Sequence, residues 1–120
     1  MKVLIVDDSK LARLSLIKTV KKIEPHIDVF QAENGAIALE LFKQEGPRIV
    51  FLDLTMPVMD GYEALEKILE IDPDTQVVIV TADIQPEAQK RVLNGGAKYI
   101  CPKPINDEKM LDIFQNYLTI

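Results

Sequence analysis

The chain has 120 residues, 48% of them hydrophobic and 28% charged, with a formal net charge of -5. This is the make-up of one soluble domain, residues 1–120, with enough apolar residues for a single core. The acidic balance argues against nucleic acid as a partner, since such proteins show a basic face, and no apolar run approaches the length of a membrane span.

Cys101 is the only cysteine, so no internal disulfide can form and a reducing interior suits the chain. The apolar stretch before Asp7 is too short for a signal peptide, so the expected location is the cytoplasm. Lys2 to Val6 reads as the first strand. The first helix runs from about Ser9 to Ile23, with Leu11, Leu14, Ile17, Val20 and Ile23 as its expected apolar face, and Pro25 ends it. Val29 to Ala32 is the second strand, and Asn34-Gly35 turns into a second helix carrying Ile37, Leu41 and Phe42.

Ile49 to Leu52 is the third strand. The loop LTMPVMDG follows, with Met56 and Met59 expected to pack near the next helix and Asp60 expected to cap it. That third helix places Ala64, Leu65, Ile68 and Leu69 inward, and Asp72-Pro73 breaks it before strand four, Val77 to Val80. Pro86 suits the first turn of helix four and Gly95-Gly96 its end. Its apolar stripe is weak, essentially Ala88, Val92 and Leu93. Tyr99 to Cys101 is strand five. Asn106 caps helix five, with Ile105 and Met110 as a hydrophobic staple and Phe114, Tyr117 and Leu118 on the buried side. His26 reads as a surface residue, and Lys90, Arg91 and Lys98 as a solvated face.

Five strands alternating with five helices predict an α/β fold, a doubly wound parallel sheet with right-handed crossovers. Runs such as VLIV and VVIV are apolar throughout because parallel strands are covered on both faces. The carboxyl ends of such strands converge on one edge, where ligands bind. Asp7 and Asp8, Asp53, Thr81 and Lys103 each follow a strand and are expected to meet there.

Taken singly, each has an ordinary explanation. A strand-end Asp is commonly a turn or cap residue, Thr81 a β-branched strand residue, and Lys103 a solvated residue between two prolines. Their convergence is the signal. Three carboxylates at close range repel one another unless a divalent cation joins them, and Mg²⁺ prefers carboxylate and carbonyl oxygens. Thr81 and Lys103 then act as donors to an anion beside the metal, which suits transfer of a phosphoryl group.

At LIVDDS, FLDLTMPVMDG, VIVTA and the GGA…PKP segment, the chain resembles the receiver domain of two-component response regulators, the CheY-like single-domain type in particular. The resemblance covers the whole chain and implies a flavodoxin-like sheet of order 2-1-3-4-5. It implies that Asp53 is the phosphoacceptor, that Asp8 binds Mg²⁺ directly and Asp7 through water, and that the Thr55 carbonyl is a further ligand. It also implies that Thr81, Lys103 and the backbone N–H groups of Thr55 and Ala82 hold the phosphoryl oxygens.

The implied partners are a sensor histidine kinase or phosphotransfer protein, a phosphatase, and a downstream target docking on the face of helix four, strand five and helix five. The implied process is phosphorelay signalling such as chemotaxis, with no turnover of a separate substrate and with the readout by protein contact in trans. Neither nucleic acid nor membrane is among the expected partners. The chain departs from the family at one position. Three residues before the lysine the family usually carries Tyr or Phe, and here Ile100 stands there with Tyr99 one residue earlier. Strand side chains alternate, so Tyr99 is expected to point away from the usual switch position.

Three other functions fit these residues less well. A haloacid-dehalogenase-type phosphatase wants a second Asp where Thr55 stands. A flavin carrier needs a phosphate loop where Asp7-Asp8 repel phosphate, and a phosphorylation-independent scaffold leaves the five site residues unexplained.

Overall fold

The computed structural model describes residues 1–82 and 84–119. Five strands and five helices alternate: β1 (Lys2–Val6), α1 (Lys10–Ile23), β2 (Asp28–Ala32), α2 (Gly35–Glu45), β3 (Ile49–Leu52), α3 (Gly61–Ile71), β4 (Gln76–Thr81), α4 (Pro86–Asn94), β5 (Tyr99–Pro102) and α5 (Asp107–Asn116). All strand pairs are parallel, in the order β2-β1-β3-β4-β5. The chain reverses its direction of travel across the sheet between β1 and β3. Four helix starts are capped by side chains. Ser9, Asn34, Asp60 and Asn106 accept hydrogen bonds from the N–H groups of Ala12, Ile37, Glu63 and Lys109.

The alternation of strand side chains divides the core in two. Leu4, Val50, Leu52, Val77, Ile79 and Ile100 face α2, α3 and α4, while Val3, Ile5, Phe51, Val78, Val80 and Cys101 face α1 and α5. Phe51, Leu4, Ile5 and Ile79 are wholly buried, and each such side chain contributes about 1.5–3 kcal/mol relative to exposure. Ile105 and Met110 are both buried, as the staple requires, and Ile113, not anticipated, is fully buried between them and Phe114.

Helix α1 does not bury the expected face. Leu11 is 80% exposed and Leu14 46%, while Leu16, Thr19 and Val20 are buried. At 3.6 residues per turn, each step of three walks about 60° backward around a helix. Three such steps, from Leu11 to Val20, reach the opposite side. The buried face follows the four-residue step from Leu16 to Val20. Leu93 is likewise exposed, leaving Ala88 and Val92 as the buried residues of α4, and Tyr117, expected on the buried side of helix five, is exposed.

Val58, in the loop between β3 and α3, has φ 69° and is 85% exposed. A β-branched residue in this left-handed region is strained, because its Cβ crowds the backbone. Val58→Asn, which tolerates that conformation, is expected to raise stability by about 1 kcal/mol in urea unfolding. A variant no more stable than the wild type would show that the loop carries no such strain.

Candidate functional site

The site is built by continuing the parallel ladder one residue beyond each strand. The Asp7 N–H donates to Ala32 O at 3.1 Å, the Asp53 N–H to Val6 O at 3.0 Å, and the Lys103 N–H to Thr81 O at 3.0 Å. The backbones that carry these side chains are thereby as fixed as the sheet. Asp7, Asp53 and Thr81 are buried, and Asp8 is exposed at the rim. The Lys103–Pro104 peptide bond is cis.

Lys103 Nζ lies 2.6 Å from Asp7 Oδ2 and 3.1 Å from Asp53 Oδ2, so one ammonium serves two buried carboxylates. Asp53 Oδ1 accepts from the Leu54 N–H at 2.8 Å. Asp7 Oδ1 accepts from the Ser9 N–H at 2.9 Å. Asp7 Oδ2 has the Lys103 ammonium as its close charged partner. One carboxylate oxygen from each of Asp7, Asp8 and Asp53 fits within a mutual distance of 4.8 Å.

The loop after β3 folds back over the site. Leu54 and Met56 are buried beneath it, and the Gly61 N–H donates to Leu54 O at 2.9 Å. A Cβ at Gly61 would stand 2.1 Å from Asp53 O, so any side chain there displaces the Asp53 backbone. Gly61, Ser9 and Arg13, whose guanidinium bonds Asp7 O, were not singled out from the sequence. Gly61 ends the MDG string, but only the three-dimensional approach of the loop shows why a hydrogen is needed.

Asp7, Asp8, Asp53 and Lys103 thus come together as expected. Thr81 pairs with Pro102 across the β4–β5 ladder and takes the Lys103 N–H on its carbonyl; Ala82 follows it at the exposed rim. Ile100 packs with the α2–α4 side of the core and Tyr99 with the α1–α5 side. Tyr99 stacks on Tyr117 with ring centroids 4.0 Å apart, and Lys109 Nζ sits 4.9 Å from its ring centre.

Burial pushes the Asp53 carboxyl above its ordinary value; the Lys103 charge opposes this, and the Asp7 charge adds to it. Burial alone would lower Lys103, but its hydrogen bonds and charge contacts with Asp7 and Asp53 outweigh that and raise it. A carboxyl raised in the fold binds its proton more tightly there than in the unfolded chain. Stability from Asp53 is therefore present at low pH and declines as pH climbs from the unfolded value, near 3.8, through the folded one. Without divalent cation, Asp53→Asn is expected to be more stable than the wild type at neutral pH, with the advantage shrinking below pH 3.8. Urea unfolding at both pH values checks this, and a less stable Asp53→Asn at neutral pH contradicts it.

The model of the response regulator receiver domain matches residues 3–115. The chain is 34% identical over 117 residues to the chemotaxis protein CheY of Halobacterium salinarum, covering 98% of this chain and 96% of that protein. It is 34% identical over 119 residues to the sporulation initiation phosphotransferase F of Bacillus subtilis, covering 99% and 94%. Among solved structures, CheY in the CheX–CheY–BeF3–Mg+2 complex from Borrelia burgdorferi superposes with a TM-score of 0.91 at 31% identity, covering 99% of this chain and 90% of that one. With a family match over nearly its whole length and relatives aligned end to end, the chain belongs to the response regulator receiver domains, the signalling modules of phosphorelays.

Proposed function

We propose that the chain accepts a phosphoryl group on Asp53 from a phosphohistidine of a sensor kinase or phosphotransfer protein, with Mg²⁺ held by Asp8, Asp53, the Thr55 carbonyl and, through water, Asp7. The observation that carries this reading is the Asp53 carboxylate. It is buried at the end of a central strand, paired to Lys103, and one of three carboxylates within 4.8 Å. Hard oxygen donors clustered this closely suit Mg²⁺. When bound, the ion neutralises the carboxylates' mutual repulsion and the charge of the arriving phosphoryl group.

In the transfer, an Asp53 carboxylate oxygen forms the new bond to phosphorus while the donor's phosphorus–nitrogen bond breaks and its electron pair returns to the imidazole. Asp53 Oδ1 is committed to the Leu54 N–H, which leaves Oδ2, on the Lys103 side, as the attacking atom. Lys103 then exchanges its Asp53 contact for a phosphoryl oxygen while keeping Asp7. Thr81 and the N–H groups of Thr55 and Ala82 complete the set of donors.

The downstream partner is a protein docking on the face of α4, β5 and α5, and a phosphatase would return the site to its resting state. The CheY of Borrelia burgdorferi, seen in complex with CheX, is a precedent for a receiver bound by a protein partner. Chemotaxis is the pathway the relatives favour. A haloacid-dehalogenase-type phosphatase and a phosphorylation-independent scaffold have no comparable support.

Incubation with Mg²⁺ and acetyl phosphate is expected to add one phosphate mass to the intact protein, removable by hydroxylamine. Asp53→Asn should gain nothing, and a variant that still acquires the mass would overturn the assignment of Asp53.

The switch should run through Thr81 and the segment leading to α4, not through an aromatic ring. Thr81 shares a strand face with Ile79, which pairs with Ile100, so an isoleucine stands where a swinging ring would be. Tyr99 is on the other face, engaged with Tyr117 and Lys109. With beryllofluoride as phosphoryl mimic, Tyr99→Ala should leave the backbone amide shifts of α4 largely intact, while Thr81→Ala blunts them. Equal loss in both variants would make Tyr99 the switch after all.

A further inference from the structure

Of the three carboxylates, Asp7 and Asp53 are each anchored, by the N–H groups of Ser9 and Leu54 and by the shared Lys103. No hydrogen bond or ion pair holds the Asp8 side chain among the described residues. The backbone that carries it therefore limits where it can point, and the Asp7–Asp8 peptide is the plane on its N-terminal side. Arg13 grips that plane. Its Nη1 donates to Asp7 O at 2.7 Å, while its Nε donates to Gln31 Oε1 at 3.1 Å. Gln31 belongs to β2, next to β1, so the guanidinium spans from one strand to the end of the other.

We propose that Arg13 is a positioning residue for the cation site, fixing the Asp7–Asp8 peptide so that Asp8 points at the metal; this rests on the Mg²⁺ reading above.

Two features set this apart from ordinary surface decoration. First, Arg13 lies near the start of α1, where its N–H takes the first helical bond, to Ser9 O at 3.0 Å. The first turn of α1 carries no acid, and a cation there opposes the helix dipole. Helix stability therefore does not account for its charge. Second, the guanidinium is a planar fork that can meet two acceptors at once, as it does here, and an ammonium cannot reproduce that span.

The charge and the positioning have opposite signs, which makes the proposal decidable. A cation near the site repels Mg²⁺, so on charge alone its removal tightens binding. Loss of the brace frees Asp8 and weakens binding, by roughly tenfold if it behaves as other groups that orient metal ligands do. Mg²⁺ titration of the full chain, followed by amide shifts in wild type, Arg13→Gln, Arg13→Lys, Gln31→Ala and Asp8→Ala, reads the difference directly, without phosphorylation. Arg13→Gln is expected to bind Mg²⁺ roughly tenfold more weakly, with Arg13→Lys and Gln31→Ala in between. Affinity for Mg²⁺ that is unchanged or tighter in Arg13→Gln overturns the proposal. Should that variant fail to fold, unchanged affinity in Gln31→Ala, an exposed site on β2, does the same. Asp8→Ala reports separately on the reading beneath: if it binds as well as wild type, the metal assignment is what fails.

Discussion

The Lys103 ammonium is the contact on which the site depends. Two carboxylates, Asp7 and Asp53, are buried side by side, and no arrangement of the sheet alone would tolerate them as anions. Lys103 lies between them at 2.6 and 3.1 Å and supplies one positive charge for two negative ones. Breaking a buried pair by removing one partner typically costs about 3–5 kcal/mol, because the remaining charge has no solvent to return to. The balance is also incomplete. The group carries excess negative charge, Asp8 adds more at the rim, and Asp53 keeps a raised affinity for protons. A site left short of positive charge in this way is primed for a cation.

The sheet makes that balance geometrically possible. The reversal of chain direction between β1 and β3 opens the crevice at the carboxyl edge, and the ladder continues through the backbones of Asp7, Asp53 and Lys103. The residues that carry the chemistry are therefore rigid where they leave the sheet and free only in their side chains. The loop from Leu54 to Gly61 closes over Asp53 as closely as a glycine hydrogen permits. Stability is given up around this centre, in a buried unbalanced carboxylate and in the left-handed backbone of Val58. Such concessions cluster where a protein does its work.

The strands, and the strand-end positions of Asp7, Asp8, Asp53 and Lys103, were legible in the sequence because both signals are short-range. An apolar run of four followed by a polar residue needs no knowledge of the rest of the chain. Helix faces were harder. The α1 stripe counted in threes ran from the buried Val20 to the exposed Leu11, whereas burial of Leu16 and Thr19 depends on where α5 and the sheet lie. Ile113 escaped notice because its neighbours in sequence, Asp112 and Phe114, do not mark which side faces inward. Arg13 and Gly61 act on the backbone of another segment, Arg13 through a carbonyl and Gly61 through the space its missing Cβ leaves. Backbone partners leave no residue-type signature, so sequence alone could not connect them to Asp7 or Asp53.

The alternation of side chains along β5 decides which layer of the protein each of its residues joins. Moving an aromatic residue by one position does not move it slightly; it transfers the ring to the other layer of the protein. Ile100 belongs with α4 and its neighbours, while Tyr99 belongs with α5, where it stacks on Tyr117 and lies under Lys109. The ring is thus built into the anchorage of α5, the helix whose side of the core holds Met110, Ile113 and Phe114. Helix α4 buries only Ala88 and Val92 and rests Arg91 over the ring of Tyr62 on α3. Tyr99 therefore serves the packing of α5, while the face of β4 and β5 that Thr81 shares is lined by Ile79 and Ile100.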